Sequence, residues 1–396
     1  MRAILRGRLV IETPRRISVD TGIVVDNGII VDVGKYDEIA ARTTDASVQD
    51  FDGIICPGLI NAHTHLELSV FRKEQFQHKD FVDWVMQLVA ARTSMLSDDL
   101  HIECSNAKRD AEERGTAFFV NVGNDYELNS SFGKNQLFQF EQIGINDSNA
   151  DRIFSRAESL VNQKKGGETA LAIHAPYSVS PELMRKIKAY NNGRNSITSI
   201  HLAETSNEVE FIRTGKGRVL DLLNRRVGDW KFDVQGLSPV KYVDSLGILD
   251  EKTLCVHCVF VDDDDIKILR DRESAVAVCV RSNRELSGKV PPVKKFVESG
   301  IKVLLGTDSK ASSPDIDMFE EVTAFYKEFH GFLDPAQVFG MATSDAADFL
   351  SIDNSQGAIA PGKRASLVYV PFTGKVEDAF EFLATEAHGK TKAVDC

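Results

Sequence analysis

The 396-residue chain has no run approaching the roughly 20 apolar residues that a membrane-spanning helix needs, which argues against an integral membrane protein. Its opening segment, Met1 to Val10, lacks a signal-peptide core and reads as a first strand, so a cytoplasmic setting is expected. Cysteine is scarce: six residues, scattered through a chain too long to be a disulfide scaffold, fit a reducing compartment. Positive charge is also in deficit. A formal net charge of −12 argues against a nucleic-acid backbone as partner. Internal repeats, low-complexity tracts and long disordered linkers are missing. Gly166 and Gly167 lack the spacing of a phosphate-binding loop and are expected to form a turn before a strand. The remaining composition, 42% hydrophobic and 27% charged, suits a soluble globular protein with one large domain and one small one.

Residues 1–51 alternate short apolar runs with Gly and Asp turns, and Asp26-Asn27-Gly28 is a hairpin signal between β-branched runs. From Ile54 the rhythm changes. Near-continuous apolar strands at Ile54, Thr116–Val122, Gln136–Phe140, Leu171–Ala175, Ile197–Leu202, Thr253–His257, Ala275–Val280 and Lys302–Gly306 alternate with longer helical stretches. Such strands belong in a parallel sheet covered on both faces. Eight βα units predict a (β/α)8 TIM barrel over residues 54–358, with residues 1–53 and 359–396 forming a small β-sandwich from both termini. A doubly wound sheet competes on pattern alone. Polar residues gathered at the strand ends favour the barrel, whose active site lies at its C-terminal mouth. The acidic run Val261–Asp265 reads as a helix N-terminus, where negative charge suits the helix dipole.

The run Pro57 to Ser69 carries His63 and His65, which in an extended strand point to one side and can approach one metal ion together. Later strands end in His174, His201 and His257, and Asp308 follows the last one. Five of nine histidines thus fall at the expected mouth, too many to treat as independent accidents. Three histidines and a carboxylate suit one borderline divalent ion, zinc or iron(II), which makes water a nucleophile near neutral pH. Glu204, three residues after His201, can face that water and move a proton without being a ligand. Cys255 and Cys258 have a C-x-x-C spacing, but on a strand they would point to opposite faces and read as buried, inert thiols.

These residues resemble the amidohydrolase superfamily, in its mononuclear-metal deaminase branch. The likeness rests on the PGLINAHTH run, His174 in HAPYS, His201 and Glu204 in HLAE, His257, Arg281-Ser282-Asn283, Gly306-Thr-Asp-Ser309 and the PGKRASLV tail. It implies a metal held by His63, His65, His201 and Asp308, with His257 polarising the attack and His174 touching substrate. The dinuclear branch uses a carboxylated lysine on a middle strand; Leu171 to Ala175 contains no lysine, which favours a single ion. The implied chemistry is hydrolytic deamination of an aromatic C–NH2 group. Glu204 would protonate the adjacent ring nitrogen, Asp308 would take the water proton, and His257 would steady the developing charge.

Leu66-Glu-Leu-Ser69 followed by Phe81-Val-Asp-Trp-Val85 looks like the group of that branch that deaminates aminofutalosine, an adenine nucleoside-like intermediate of menaquinone biosynthesis. Glu67 or Asp83 would then bind a ribose diol. Trp84 fits a core position better, because Phe81, Val82, Val85, Leu88 and Val89 form an apolar helical stripe. Arg281, Asn283 and Arg284 are candidates to hold a carboxylate or other polar tail, with a structural salt bridge equally open to the arginines. The partner is therefore a small aminopurine nucleoside, with no nucleic acid and no membrane, and a homodimer stays open. Competing readings are deamination of S-adenosylhomocysteine, methylthioadenosine or guanine, a triazine chlorohydrolase or amide-cleaving relative, and a non-catalytic scaffold of the same fold.

Overall fold

The computed structural model describes residues 2–93, 97–163, 168–227 and 232–394. The turn expected at Gly166 and Gly167 lies outside them. The chain divides into two compact units, Met1–Ala62 with Arg109–Phe118 and Asp317–Cys396, and His63–Lys108 with Phe119–Ile316. Among the described residues, no helix is long and apolar enough to cross a membrane.

The N-terminal strands are β1 (Arg2–Thr13), β2 (Arg16–Asp26), β3 (Ile29–Lys35) and β4 (Ser47–Pro57). Asn27 and Gly28 both take positive φ, 50° and 75°, as the two-residue turn joining β2 to β3 requires. Leu5, Val10, Ile23, Val25 and Ile55 pack with Leu367 in one buried cluster, while Ile4 and Val24 pack with Ile39 in another.

Eight further strands form one sheet: β5 (Leu59–Thr64), β6 (Thr116–Gly123), β7 (Gln136–Gln142), β8 (Glu168–Ile173), β9 (Thr198–Leu202), β10 (Thr253–His257), β11 (Ala275–Val278) and β12 (Val303–Leu305). They lie side by side in chain order. The registered pairs from β6 to β12 are all parallel, and a parallel bridge between Thr64 and Asp308 brings the last segment back to the first strand. The result is a nearly closed (β/α)8 barrel, with every residue of β5, β7, β9, β10, β11 and β12 buried. The acidic run opens a helix as expected: Asp262 caps Asp263–Asp271 in a reciprocal capping box with Asp265. Near the C-terminus, β13 (Leu367–Val370) pairs antiparallel with β4, and β14 (Lys392–Ala393) with β13, completing a six-stranded mixed sheet built from both ends of the chain.

The apolar run around Ile54, read from sequence as one strand, is two. It breaks at Gly58, where β4 ends in the terminal sheet and β5 begins in the barrel. Gly58 donates its N–H to Ser366 O at 2.8 Å, and Leu59 donates to Gly115 O at 2.9 Å. A Cβ at position 58 would stand 2.6 Å from Ala117 Cβ and 3.1 Å from Ser366 O, so only glycine fits the crossing. Gly58→Val should therefore cost roughly 1–3 kcal/mol, the range of an overpacked core. An equilibrium urea titration should show a lowered midpoint; an unchanged midpoint would show that the crossing tolerates a side chain.

Candidate metal and active site

The candidate site gathers at the C-terminal ends of the barrel strands, within the second compact unit. His63 lies in β5, and His65 follows directly after that strand. The next residue, Leu66, gives its N–H to Asn121 Oδ1 (3.1 Å), which fixes the chain beyond the pair. The carbonyl of His63 accepts the N–H groups of both Thr307 and Asp308, each at 3.1 Å. Gly306 permits this approach, since a Cβ there would lie 2.8 Å from His63 O. Three residues at these strand ends leave the sheet in the left-handed region: Ala203 (φ 50°), His257 (φ 77°) and Asp308 (φ 59°). Left-handed backbone is costly for residues other than glycine and is held only where surrounding bonds over-determine it.

His201 donates Nδ1–H to the carbonyl of His174 at 2.7 Å, so its Nε2 carries a lone pair. That nitrogen stands 3.2 Å from Nε2 of His65. Two nitrogens bound tetrahedrally to one zinc-like ion would be about 3.3 Å apart, given bonds of about 2.0–2.1 Å. Asp308 Oδ1 lies 3.8 Å from His65 Nε2 and 3.9 Å from His63 Nε2. Its other oxygen, Oδ2, accepts hydroxyls from Ser282 (2.5 Å) and Ser312 (3.0 Å), which turns Oδ1 towards the histidines. The donor set therefore fits a borderline divalent cation: His63, His65 and Asp308 form one group that could hold an ion, and His63, His201 and His257 form another.

Burial and the neighbouring histidines hold His63 well below the ordinary imidazole range, and burial first of all brings His201 down to about 3 and His257 to about 4. All three are neutral, the form in which imidazole binds metal. For Asp308 burial opposes ionisation, but His65, His257 and the Ser282 hydroxyl outweigh it and keep the carboxyl below its usual range. Glu204 behaves oppositely. Burial, reinforced by Asp308 and Glu208, raises its acid well above the usual carboxylate range. Its Oε1 lies 3.7 Å from His257 Nε2. Asn283 Nδ2 donates to His257 Nδ1 at 2.9 Å, which places the ring proton on the nitrogen facing Glu204.

These groups floor a cavity of about 430 Å³, a size suited to a small organic ligand. Phe81, Trp84, Val85, Leu88, Leu222 and Leu223 supply apolar wall. Trp84 is both core and wall: its indole N–H is bound to Ala311 O at 3.1 Å, and its ring stacks on Phe81. His174 also lines the cavity, with Nδ1 2.5 Å from Ser178 Oγ, and burial brings its pKa down to about 3.

The residues expected to hold the distal parts of a substrate are placed differently. Glu67 touches the cavity, but Oε2 accepts the N–H groups of Asn124 and Asp125 and the amide of Asn129, and Oε1 pairs with Arg92 at 2.7 Å. It braces loops and has little capacity left for a diol. Asp83 does not line the cavity; it pairs with Arg218 at 2.5 Å. Arg281 pairs with Asp315 at 2.7 Å, also away from the wall, and Asn283 serves His257. Cys255 and Cys258 do not point to opposite faces as expected. Positive φ at His257 and Cys258 (77° and 48°) bends the chain back where a strand would have continued, so the Cys258 thiol meets Cys255 instead of facing away. Both remain buried free cysteines. Ser312 and Glu208 were not singled out in the sequence, nor was Glu141, which with His65 and His201 forms a third group that could hold an ion, and Ser282 entered only within the Arg281-Ser282-Asn283 run; the position of Glu208 in HLAETSNE, four residues after Glu204, could have signalled it.

A family model described as "Amidohydrolase family" matches residues 54–389. The chain is 30% identical over 333 residues to an aminodeoxyfutalosine deaminase of Deinococcus radiodurans, covering 79% of this chain and 77% of that protein. It is also 30% identical over 369 residues to a 5-methylthioadenosine/S-adenosylhomocysteine deaminase of Dictyoglomus thermophilum, covering 84% and 77%. In fold it is similar to the crystal structure of Helicobacter pylori aminofutalosine deaminase in complex with methylthio-coformycin, with a TM-score of 0.85 over 99% of this chain and 100% of that one at 24% identity.

The geometry predicts one equivalent of divalent metal per chain in protein purified without chelator, measured by elemental analysis. His201→Ala and Asp308→Ala should each reduce that occupancy at least tenfold while the far-ultraviolet spectrum stays that of the folded barrel. Full occupancy in either variant would remove that residue from the ligand set.

Proposed function

We propose that this chain, which belongs to the amidohydrolase family, hydrolyses the amino group from the ring of an adenine-type nucleoside and releases ammonia. The observation that carries the reading is Glu204. A buried acid kept protonated, on the wall of a ligand-sized cavity and beside a cluster of metal-binding donors, is placed to give a proton to a bound ring. Relatives named as deaminases of aminodeoxyfutalosine and of methylthioadenosine/S-adenosylhomocysteine support the same reaction type.

His63, His65, His201 and Asp308 would hold one divalent ion, zinc or iron(II), which supplies the Lewis acidity that makes water a nucleophile at neutral pH. The chain's own groups do the rest. The apolar wall around Trp84 takes the flat ring and excludes bulk water, which strengthens each polar contact inside. Glu204 protonates the ring nitrogen next to the amino-bearing carbon and makes that carbon electrophilic. Asp308, whose Oδ1 faces the histidines and would also touch the ion while Ser282 and Ser312 hold Oδ2, accepts the water proton. His257, with its proton on Nε2, donates to the charge that develops as water adds. Asp308 then passes its proton to the amino nitrogen, which leaves as ammonia, and the hydroxyl proton left on the ring carbon's oxygen returns to Glu204.

The distal substituent is read from Arg226. It lines the cavity and makes no hydrogen bond or ion pair among the described residues, whereas Arg92 is already paired with Glu67 and Arg281 with Asp315. A planar, unpaired guanidinium on the cavity wall suits a carboxylate. This favours a nucleoside with a carboxylate-bearing 5′ substituent, such as aminodeoxyfutalosine, over 5′-deoxyadenosine or methylthioadenosine.

Glu204→Gln should keep its metal and lose about 10²–10⁴-fold in kcat. Unchanged turnover would remove Glu204 from the chemistry. Ammonia release across aminodeoxyfutalosine, S-adenosylhomocysteine, methylthioadenosine, 5′-deoxyadenosine and guanine should be most efficient with the first. Arg226→Ala should cut kcat/KM for the two carboxylates about ten- to hundredfold and leave methylthioadenosine unaffected. A metal-loaded protein inert towards the whole panel would refute the deaminase reading.

A further inference from the structure

The Glu204 side chain makes no hydrogen bond among the described residues; its Oε1 lies 3.7 Å from His257 Nε2, beyond hydrogen-bond reach. Its direction must therefore be set by its main chain. That main chain is tied on both sides. On the amide side, Glu208 is 1% exposed and turns its carboxylate back onto the segment before its own helix, Ser206–Thr214. Oε1 accepts the N–H of Ala203 and Oε2 the N–H of Glu204, each at 2.9 Å. On the carbonyl side, Ser287 Oγ donates to Glu204 O at 2.7 Å. Between strand and helix, Ala203 sits at φ 50°, a conformation an alanine adopts only under constraint, and its own carbonyl accepts from Phe260 N at 2.8 Å.

From this arrangement we propose that Glu208 and Ser287 are positioning residues, a main-chain clamp that aims the Glu204 carboxyl at the bound ring. The clamp rests on the deaminase reading for its purpose but not for its geometry. A carboxylate suits the task because it is acceptor-only and can take several N–H groups at once. The isosteric amide would turn an NH2 towards one of them and push the turn away. Ser287 reaches Glu204 from a different part of the chain, after β11, so the two anchors can be removed independently. Neither residue lines the cavity, so neither contacts the substrate.

The test uses the full-length, metal-loaded enzyme. Glu208→Gln should lower kcat about ten- to hundredfold and Ser287→Ala about three- to tenfold, with KM and metal content within twofold of the parent. In a Glu204→Gln background, where the acid is already gone, neither change should lower the residual kcat further. A further tenfold loss there, or an unchanged kcat in both single variants, would overturn the clamp. Crystal structures give a readout independent of turnover: the Glu204 carboxyl should be displaced by 1 Å or more in Glu208→Gln, or in Ser287→Ala if the former does not fold. An unmoved carboxyl contradicts the clamp even if the parent enzyme deaminates nothing on the panel, an outcome that would instead sink the deaminase reading.

Discussion

Several imidazoles and a carboxylate gather, buried, at the mouth of the barrel in groups that could hold a metal ion, and the rest of the site is arranged around them. Neutral histidines and an ionised aspartate, buried together, are unfavourable company unless a shared cation compensates them. Hydrogen bonds outside the cluster enforce the arrangement. The carbonyl of His174 fixes the tautomer of His201, and Ser282 and Ser312 occupy the far oxygen of Asp308. The same low-polarity surroundings raise Glu204 well above the usual carboxylate range, so one environment yields both a donor set that could hold a metal and an acid.

Backbone geometry does as much as side-chain chemistry. Ala203, His257 and Asp308 each turn out of the barrel in a left-handed conformation, and each lies beside or within the reactive set. Such residues store strain that neighbouring bonds must hold, and here those bonds are visible: Glu208 on the turn at Ala203, and the His63 carbonyl on the segment entering Asp308. Gly306 and Gly58 contribute by having no side chain where another segment passes.

Much of this was legible in the sequence because it is periodic or local. Apolar strands of regular spacing revealed the eight barrel strands, Asn27-Gly28 its hairpin, and the Asp262–Asp265 run its helix start. The histidines could be gathered because a parallel barrel brings all its strand ends to one face. What escaped depends on partners distant in the chain. Asp83 and Arg281 looked available for a substrate until the fold supplied Arg218 and Asp315, and Glu67 until it supplied Arg92. Cys258 was misplaced because nothing in the sequence marks the backbone reversal at His257 and Cys258, just where β10 ends. Glu208 escaped because a carboxylate that binds main-chain N–H groups looks like any other helix-start glutamate.

The proposed site depends on His63, His65, His201 and Asp308 surrounding one cation. X-ray absorption at the metal edge of the purified, fully loaded protein examines it directly. The nearest neighbours should be nitrogen and oxygen only, at about 2.0–2.1 Å, with the outer-shell pattern of about three imidazoles. Sulfur among the nearest neighbours, or a spectrum without imidazole, would contradict it.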